Sequence, residues 1–489
     1  MTRMPRILAA GLLATLALAT AGCGGGSAKT SASGESGAKL VRSDVLAFVS
    51  VDSDLGSSQW QELDSLAQKF PGRERVLTRI TQALAQQNVD YDSDLKPALG
   101  PEVDVAVAAG ASLDSTSVVL LTKPEDVDKF KQLLKKLNAS SSSGQQAVYR
   151  EVDGWYAVAE SEAALNTVLK SGGGSLAADA TFNDALDELP GDALVKAYVD
   201  GAQVAAAVKE AAQQGGQSFD PSSLGFDKLD FIAASVSAED DGVRVRAASR
   251  GAGTKTLGPG DYSSKLLEDV PGDAIALLTF RGGGVSDQLK QLRSNPMFAQ
   301  QLRQLEAALG VTLDQALTLF SNEVALYVRP GLAIPEITLV LEPKDQAAAL
   351  ATIDKVATRL AALGGARVTG GAVKTIDLGQ FQIHYGGSGG KVVVTNGSNA
   401  IAEFGSGSKL PDSADFKQAK DAAGLPDSHG GFLYLDLKDS IPLLETLAGL
   451  TGNAPSSRVT ENLRPLRSFL AWTAGSGDTR TFDAFVEIK

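Results

Sequence analysis

Apolar positions along this chain follow two periods. Residues 45–51, 103–109 and 117–122 are β-branched, nearly continuous apolar runs that predict strands. Between the first two, Trp60, Leu63, Leu66 and Phe70 recur at helical spacing, as do Val76, Ile80 and Leu84, and Pro71-Gly72 breaks the two helices. Asp92 or Ser93 can cap a short helix ending near Leu99, and Thr312 can cap its counterpart further on. Pro124 opens a helix, in whose first turn a proline is tolerated. Its apolar face is Val127, Phe130, Leu133, Leu134 and Leu137, with Lys129, Lys131, Lys135 and Lys136 on the opposite side. Residues 149–159 read as a hairpin turning at Asp153-Gly154. A short helix, a helix around Phe182, a strand at 194–199, a helix from Ala202 and strands at 231–237 and 243–248 complete the series.

The same series then returns. Residues 43–49 are answered by 272–278, and Glu102-Val103 by Glu323-Val324. Leu120-Leu121-Thr122-Lys123-Pro124 matches Leu339-Val340-Leu341-Glu342-Pro343. Phe182 matches Phe416, Leu189-Pro190 matches Leu425-Pro426, Tyr198-Val199-Asp200 matches Tyr434-Leu435-Asp436, and Phe231-Ile232-Ala233 matches Phe469-Leu470-Ala471. Order and spacing are kept, so the pattern reads as an internal duplication. Each copy is large enough to own a core. Adjacent strands with tight turns, and helices clustered between them, predict an α+β fold. It consists of two homologous modules, each a mostly antiparallel sheet packed by helices on one face, at 42–251 and 271–489. The Gly/Pro/Thr-rich stretch within 252–270 reads as a linker.

The amino-terminal residues depart from this pattern. Arg3 and Arg6 precede an unbroken run of apolar and small residues that is too short for a comfortable membrane span, and 1–22 reads as a secretory signal. Cys23, the only cysteine, follows the small residues Ala21 and Gly22, as in bacterial lipoprotein signals, although Thr20 stands where leucine is usual. Lipidation of Cys23 accounts for a lone exported thiol. The Gly/Ser/Ala stretch within 23–41 then acts as a flexible tether. No further run approaches a span, which places the folded body outside the cytoplasm at a membrane surface.

Composition and charge narrow the function without naming it. The 489 residues are 43% hydrophobic and 21% charged, which is globular, and the formal net charge of −13 argues against nucleic acid and anionic lipid headgroups as partners. Candidate chemistry is sparse. His384 falls on the Gln382 face of a strand and reads as solvated; His429 reads as a turn histidine; neither has a histidine at metal-ligand spacing. Asp90, Asp92 and Asp94 resemble the start of a calcium loop, but Leu95 and Pro101 stand where glycine and glutamate are required. Asp52 and Asp54 suit a turn and helix cap better than a cation site. The glycines at 282–284 and 386–390 lack the Gly-Lys-Ser/Thr ending of a phosphate loop, and the second set reads as a hairpin loop. No catalytic, metal or cofactor residue is assigned.

Residues 44–52, Gln59-Trp60, Phe70-Pro71-Gly72-Arg73 and 95–103, with its Leu99-Gly100-Pro101-Glu102-Val103, resemble a bacterial family catalogued as domain of unknown function 3352. The resemblance covers most of the chain after the signal. It implies an envelope-facing lipoprotein or membrane-anchored protein and carries no activity or functional residues to transfer. The expectation is a non-enzymatic, lipid-anchored envelope protein that binds a protein partner or ligand on or between its modules. The alternative is a carrier of a lipid or other apolar molecule, and an enzyme ranks third.

Overall fold

A computed structural model describes residues 37–109, 116–140, 146–214, 228–251, 260–283, 296–331, 334–379, 381–450 and 455–489. The signal, Cys23, most of the tether and residues 252–259 lie outside these. The fold is α+β, and the chain divides into two compact units: Met1–Thr254 with Ile488–Lys489, and Lys255–Glu487. Among the described residues no helix is long and apolar enough to cross a membrane.

The strands of the first unit are β1 Ala47–Asp52, β2 Glu102–Ala108, β3 Ser117–Thr122, β4 Val148–Val152, β5 Trp155–Ala159, β6 Val195–Asp200, β7 Leu229–Glu239 and β8 Gly242–Gly251. They pair antiparallel in the spatial order β4-β5-β3-β2-β1-β6-β7-β8. Asp153 and Gly154 close the β4–β5 hairpin with φ of 52° and 79°, the two left-handed residues that a two-residue hairpin turn requires. Helices cover both faces of this sheet around β2, β3 and β5, where one face was expected. Phe48, Ala106 and Ala157 face helices Glu162–Val168 and Ala180–Asp187. Val103 and Tyr156, on the opposite face, meet Leu84 of helix Arg73–Gln86 and Phe130 and Leu133 of helix Val127–Ser140. Toward β7 and β8 that second face is wet, leaving Ile232 and Val245 exposed.

Two caps differ from expectation for local reasons. Helix Val127–Ser140 begins beyond Pro124 because the Asp126 carboxylate accepts from the backbone N–H of Asp128 and Lys129, at 2.9 and 3.0 Å. The turn Tyr91–Leu95 is capped by Asp90, which accepts from Ser93 N at 2.9 Å, rather than by Asp92 or Ser93. Thr312 does cap its helix, in a reciprocal box with Gln315.

The second unit has β9 Ala276–Arg281, β10 Glu323–Arg329, β11 Glu336–Leu341, β12 Val368–Gly370, β13 Val373–Asp377, β14 Gln382–Ser388, β15 Lys391–Thr395, β16 Gly431–Asp436, β17 Leu466–Ser476 and β18 Thr479–Ile488. The antiparallel order is β12-β13-β14-β15-β11-β10-β9-β16-β17. Gly389 and Gly390, at φ of 56° and 79°, form the β14–β15 turn, while Gly386, Gly387 and Ser388 lie within β14. Strands β12 and β13 extend the sheet edge beneath helix Gln346–Leu363, where Ala357 and Ala361 pack on Ile376 and Tyr385.

The registers of the two sheets agree strand for strand over most of their width. Phe48 lies opposite both Ala106 and Tyr198, and Leu277 opposite both Tyr327 and Tyr434. Glu102 faces Asp52 as Glu323 faces Arg281. Phe182 meets Tyr198 edge-on at 5.1 Å, and Phe416 meets Tyr434 edge-on at 5.0 Å. Such pairs add about 0.5–1.5 kcal/mol beyond area burial. The match of Phe231 with Phe469 is corrected. Phe231 lies opposite Asp200, but Ser468 lies opposite Asp436, so Phe469 sits one residue, and therefore one face, away.

The expected tether and linker are shorter than their composition suggested. Ala38, Leu40 and Val41 are buried in the first core, and Leu266 and Val270 in the second. A one-turn 3-10 helix, Gly37–Lys39 or Leu266–Asp269, lies in each packed segment.

Candidate functional site

A cleft of about 460 Å³ opens in the second unit between helix Leu437–Leu450, helix Ser457–Leu463 and the start of β17. Its walls follow from local chemistry. Asp436 ends β16 and caps the first helix, accepting from Asp439 N at 3.0 Å. Pro442 lies inside that helix and has no N–H for the carbonyl of Lys438. The second helix stops at Leu463, where Pro465 has no N–H to continue the ladder. Ile441, Pro442, Leu463 and Leu466 give the cleft an aliphatic side. Lys438, Arg464 and Arg467 bring three cations against one carboxylate, Glu445. Lys438 is held by Asp415 at 3.2 Å. Among the described residues neither Arg464 nor Arg467 has an ion-pair partner.

Beside the cleft, Asp415, Asp436 and Asp439 bring carboxylate oxygens within 4.8 Å of one another. Burial, ahead of the neighbouring Asp439 and Asp415 charges, raises the pKa of Asp436. The first unit repeats the cap without the cluster: Asp200 accepts from Gln203 N at 2.9 Å, and Thr181 stands at the sequence match of Asp415. The three carboxylates are thus explained by a helix cap and the Lys438 ion pair.

Buried carboxylates elsewhere serve the fold. Glu323 accepts from the Ser264 hydroxyl, from Thr279 Oγ1 at 2.9 Å, and from the N–H groups of Lys265 and Leu266 at 2.8 and 3.1 Å. Asp104 is fully buried, and neither of its oxygens has a hydrogen-bond partner among the described residues. Burial, and then the charge of Glu102, push its pKa well above the usual carboxylate range. Asp52 accepts from Ser57 Oγ at 2.5 Å and from Asp54 N at 3.0 Å, and burial pushes its pKa up to about 7.

The sequence profile of a family described as "Protein of unknown function (DUF3352)" matches residues 7–154 and 157–488. The chain belongs to that family. No curated protein matches this DUF3352 chain. Among solved structures it is similar to TP0453 in crystal form IV, at 12% identity and a TM-score of 0.25 over 46% of this chain and 94% of that one. Crystal form III gives 10% identity and a TM-score of 0.24, over 46% and 95%.

The DUF3352 fold places the remaining candidates as follows. His384 is buried, not solvated: its Nδ1 lies 2.9 Å from Thr375 Oγ1 on the face opposite Tyr385. His429 is also buried, its ring edge-on to Tyr262 at 5.5 Å and to Phe432 at 5.0 Å, and burial lowers its pKa. Ser57 caps the Trp60 helix, and Asp52 holds Ser57 in place. Lys131, Lys135 and Lys136 are exposed, with Lys136 bonded to Asp94 at 2.6 Å. None of these residues joins the cleft. Arg464 and Arg467 were missed in the sequence. Their signal is two arginines flanking Pro465 just ahead of an apolar strand, in a chain that is otherwise acidic.

Proposed function

We propose that this DUF3352 protein is a lipid-anchored, extracytoplasmic envelope protein that binds a ligand without transforming it. The cleft beside helix Leu437–Leu450 is the observation that carries the binding reading. Its volume of about 460 Å³ falls in the range of small-molecule sites, roughly 300–1,000 Å³. Its aliphatic side favours an apolar molecule as cargo over a protein partner. The anchor rests on Cys23 and the small residues before it. With residues 37–41 packed on the first core, the tether from Cys23 has an average span of about 20 Å. The first unit then stays near the membrane. The shared registers and the two Phe–Tyr pairs support descent of both units from one duplicated module.

Membrane fractionation tests the anchor. Cys23→Ala is expected to leave the membrane fraction or to remain unprocessed. A processed Cys23→Ala protein that stays with the membrane would contradict the anchor.

A further inference from the structure

We infer that the cleft takes a single-chain anionic amphiphile, an acyl chain ending in a carboxylate or phosphate, with its head on Arg464 and Arg467. The inference rests on the binding reading above and gives it a chemical class. Charge is the first argument. In a chain of net charge −13, this cleft places three cations around one carboxylate. Lys438 is engaged by Asp415, whereas the two guanidinium groups are not engaged among the described residues. Elsewhere in the same unit Arg329 grips Asp273 through two nitrogens at 2.8 and 2.9 Å. An arginine that finds no internal carboxylate is free to make that two-pronged contact with a ligand.

The apolar side is the second argument. Ile441, Pro442, Leu463 and Leu466 offer aliphatic surface beside the cations. The lining holds no aromatic ring on which a base or sugar could stack, so a nucleotide or glycan gains little there. A free inorganic anion would use the arginines and leave the aliphatic side wet. Only a molecule with both an anionic end and an apolar body satisfies both. The three cations of the lining disfavour a cationic amphiphile with the same tail.

The test uses the chain from residue 24 onward, titrated calorimetrically with dodecanoate, dodecyl phosphate, dodecyltrimethylammonium and inorganic phosphate, each below its micelle concentration. Saturable binding of the two anionic chains is expected, with the cationic chain and the free phosphate weaker by about tenfold or more. The carboxylate and phosphate arms decide between the two heads. Arg464→Glu with Arg467→Glu should abolish anionic binding and leave the thermal midpoint within a degree or two, since these side chains hold no ion-pair partner among the described residues. Leu463→Gln should weaken both anionic chains alike. Equal binding of anionic and cationic chains, or anionic binding that survives the double arginine change, would overturn the anionic class. Tail-dependent binding that is lost in Leu463→Gln but not in the arginine variant would still leave the cleft a binding site. Failure of every chain to bind would sink the inference outright.

Discussion

Glu323 and Asp104 each lie beneath the leading turn of their unit, Asp104 two residues beyond Glu102, the register match of Glu323, and the two are treated oppositely. Each lies on the second strand of its unit, beneath the 3-10 turn that leads the chain into the core. Glu323 receives four donors, two of them the N–H groups of Lys265 and Leu266 at the start of that turn. Asp104 lies so close to Gly37 that a Cβ there would sit 1.8 Å from its Oδ2, and it has no donor among the described residues. One arrangement ties the leading segment down through a satisfied carboxylate. The other achieves similar burial with a glycine over a fully buried acid. A shared sheet register therefore does not impose a shared polar network.

The largest expected effect breaks the better of the two arrangements. Glu323→Ala orphans two backbone donors and should cost on the order of 3–5 kcal/mol in denaturant unfolding. Asp104→Asn, by contrast, should be neutral to stabilising by about 1 kcal/mol at neutral pH, because burial already disfavours the charged form of this carboxyl. Equal destabilisation by the two changes would erase the contrast.

A smaller effect sharpens it through pH. Asp52, near Asp104 in the same unit, binds its proton more tightly folded than unfolded. Its contribution is fully present below the unfolded value of 3.8 and is lost as the pH rises through about 7. Stability should therefore fall by on the order of 2–4 kcal/mol between those pH values, and Asp52→Asn should flatten that fall. A wild-type protein with flat stability over this window would remove Asp52 as the cause.

The frame of each unit was legible because it rests on periodicity and turns. Apolar, β-branched runs located β1 and β3, and β6 was placed likewise, to within a residue or two, and Asp153-Gly154 and Thr312 marked their turn and cap. The leading segments were not legible because they look like linkers. Gly37 and Ala38 read as spacer composition, yet small residues are what a close approach over Asp104 requires. His384 was misplaced because alternation marks the apolar face of a strand but does not reveal that the other face is covered too. The cleft escaped for a different reason. Lys438 and Ile441 come from one helix and Arg464, Leu466 and Arg467 from a later segment, and no spacing rule joins them before the fold does.

The most direct measurement of the account is native extraction of the full-length protein from its host cells, followed by mass spectrometry of what remains bound. The account predicts a single-chain anionic amphiphile on the wild-type protein and its absence from the folded Arg464→Glu, Arg467→Glu variant. The same bound molecules on both proteins, or an empty wild-type protein under mild extraction, would contradict it.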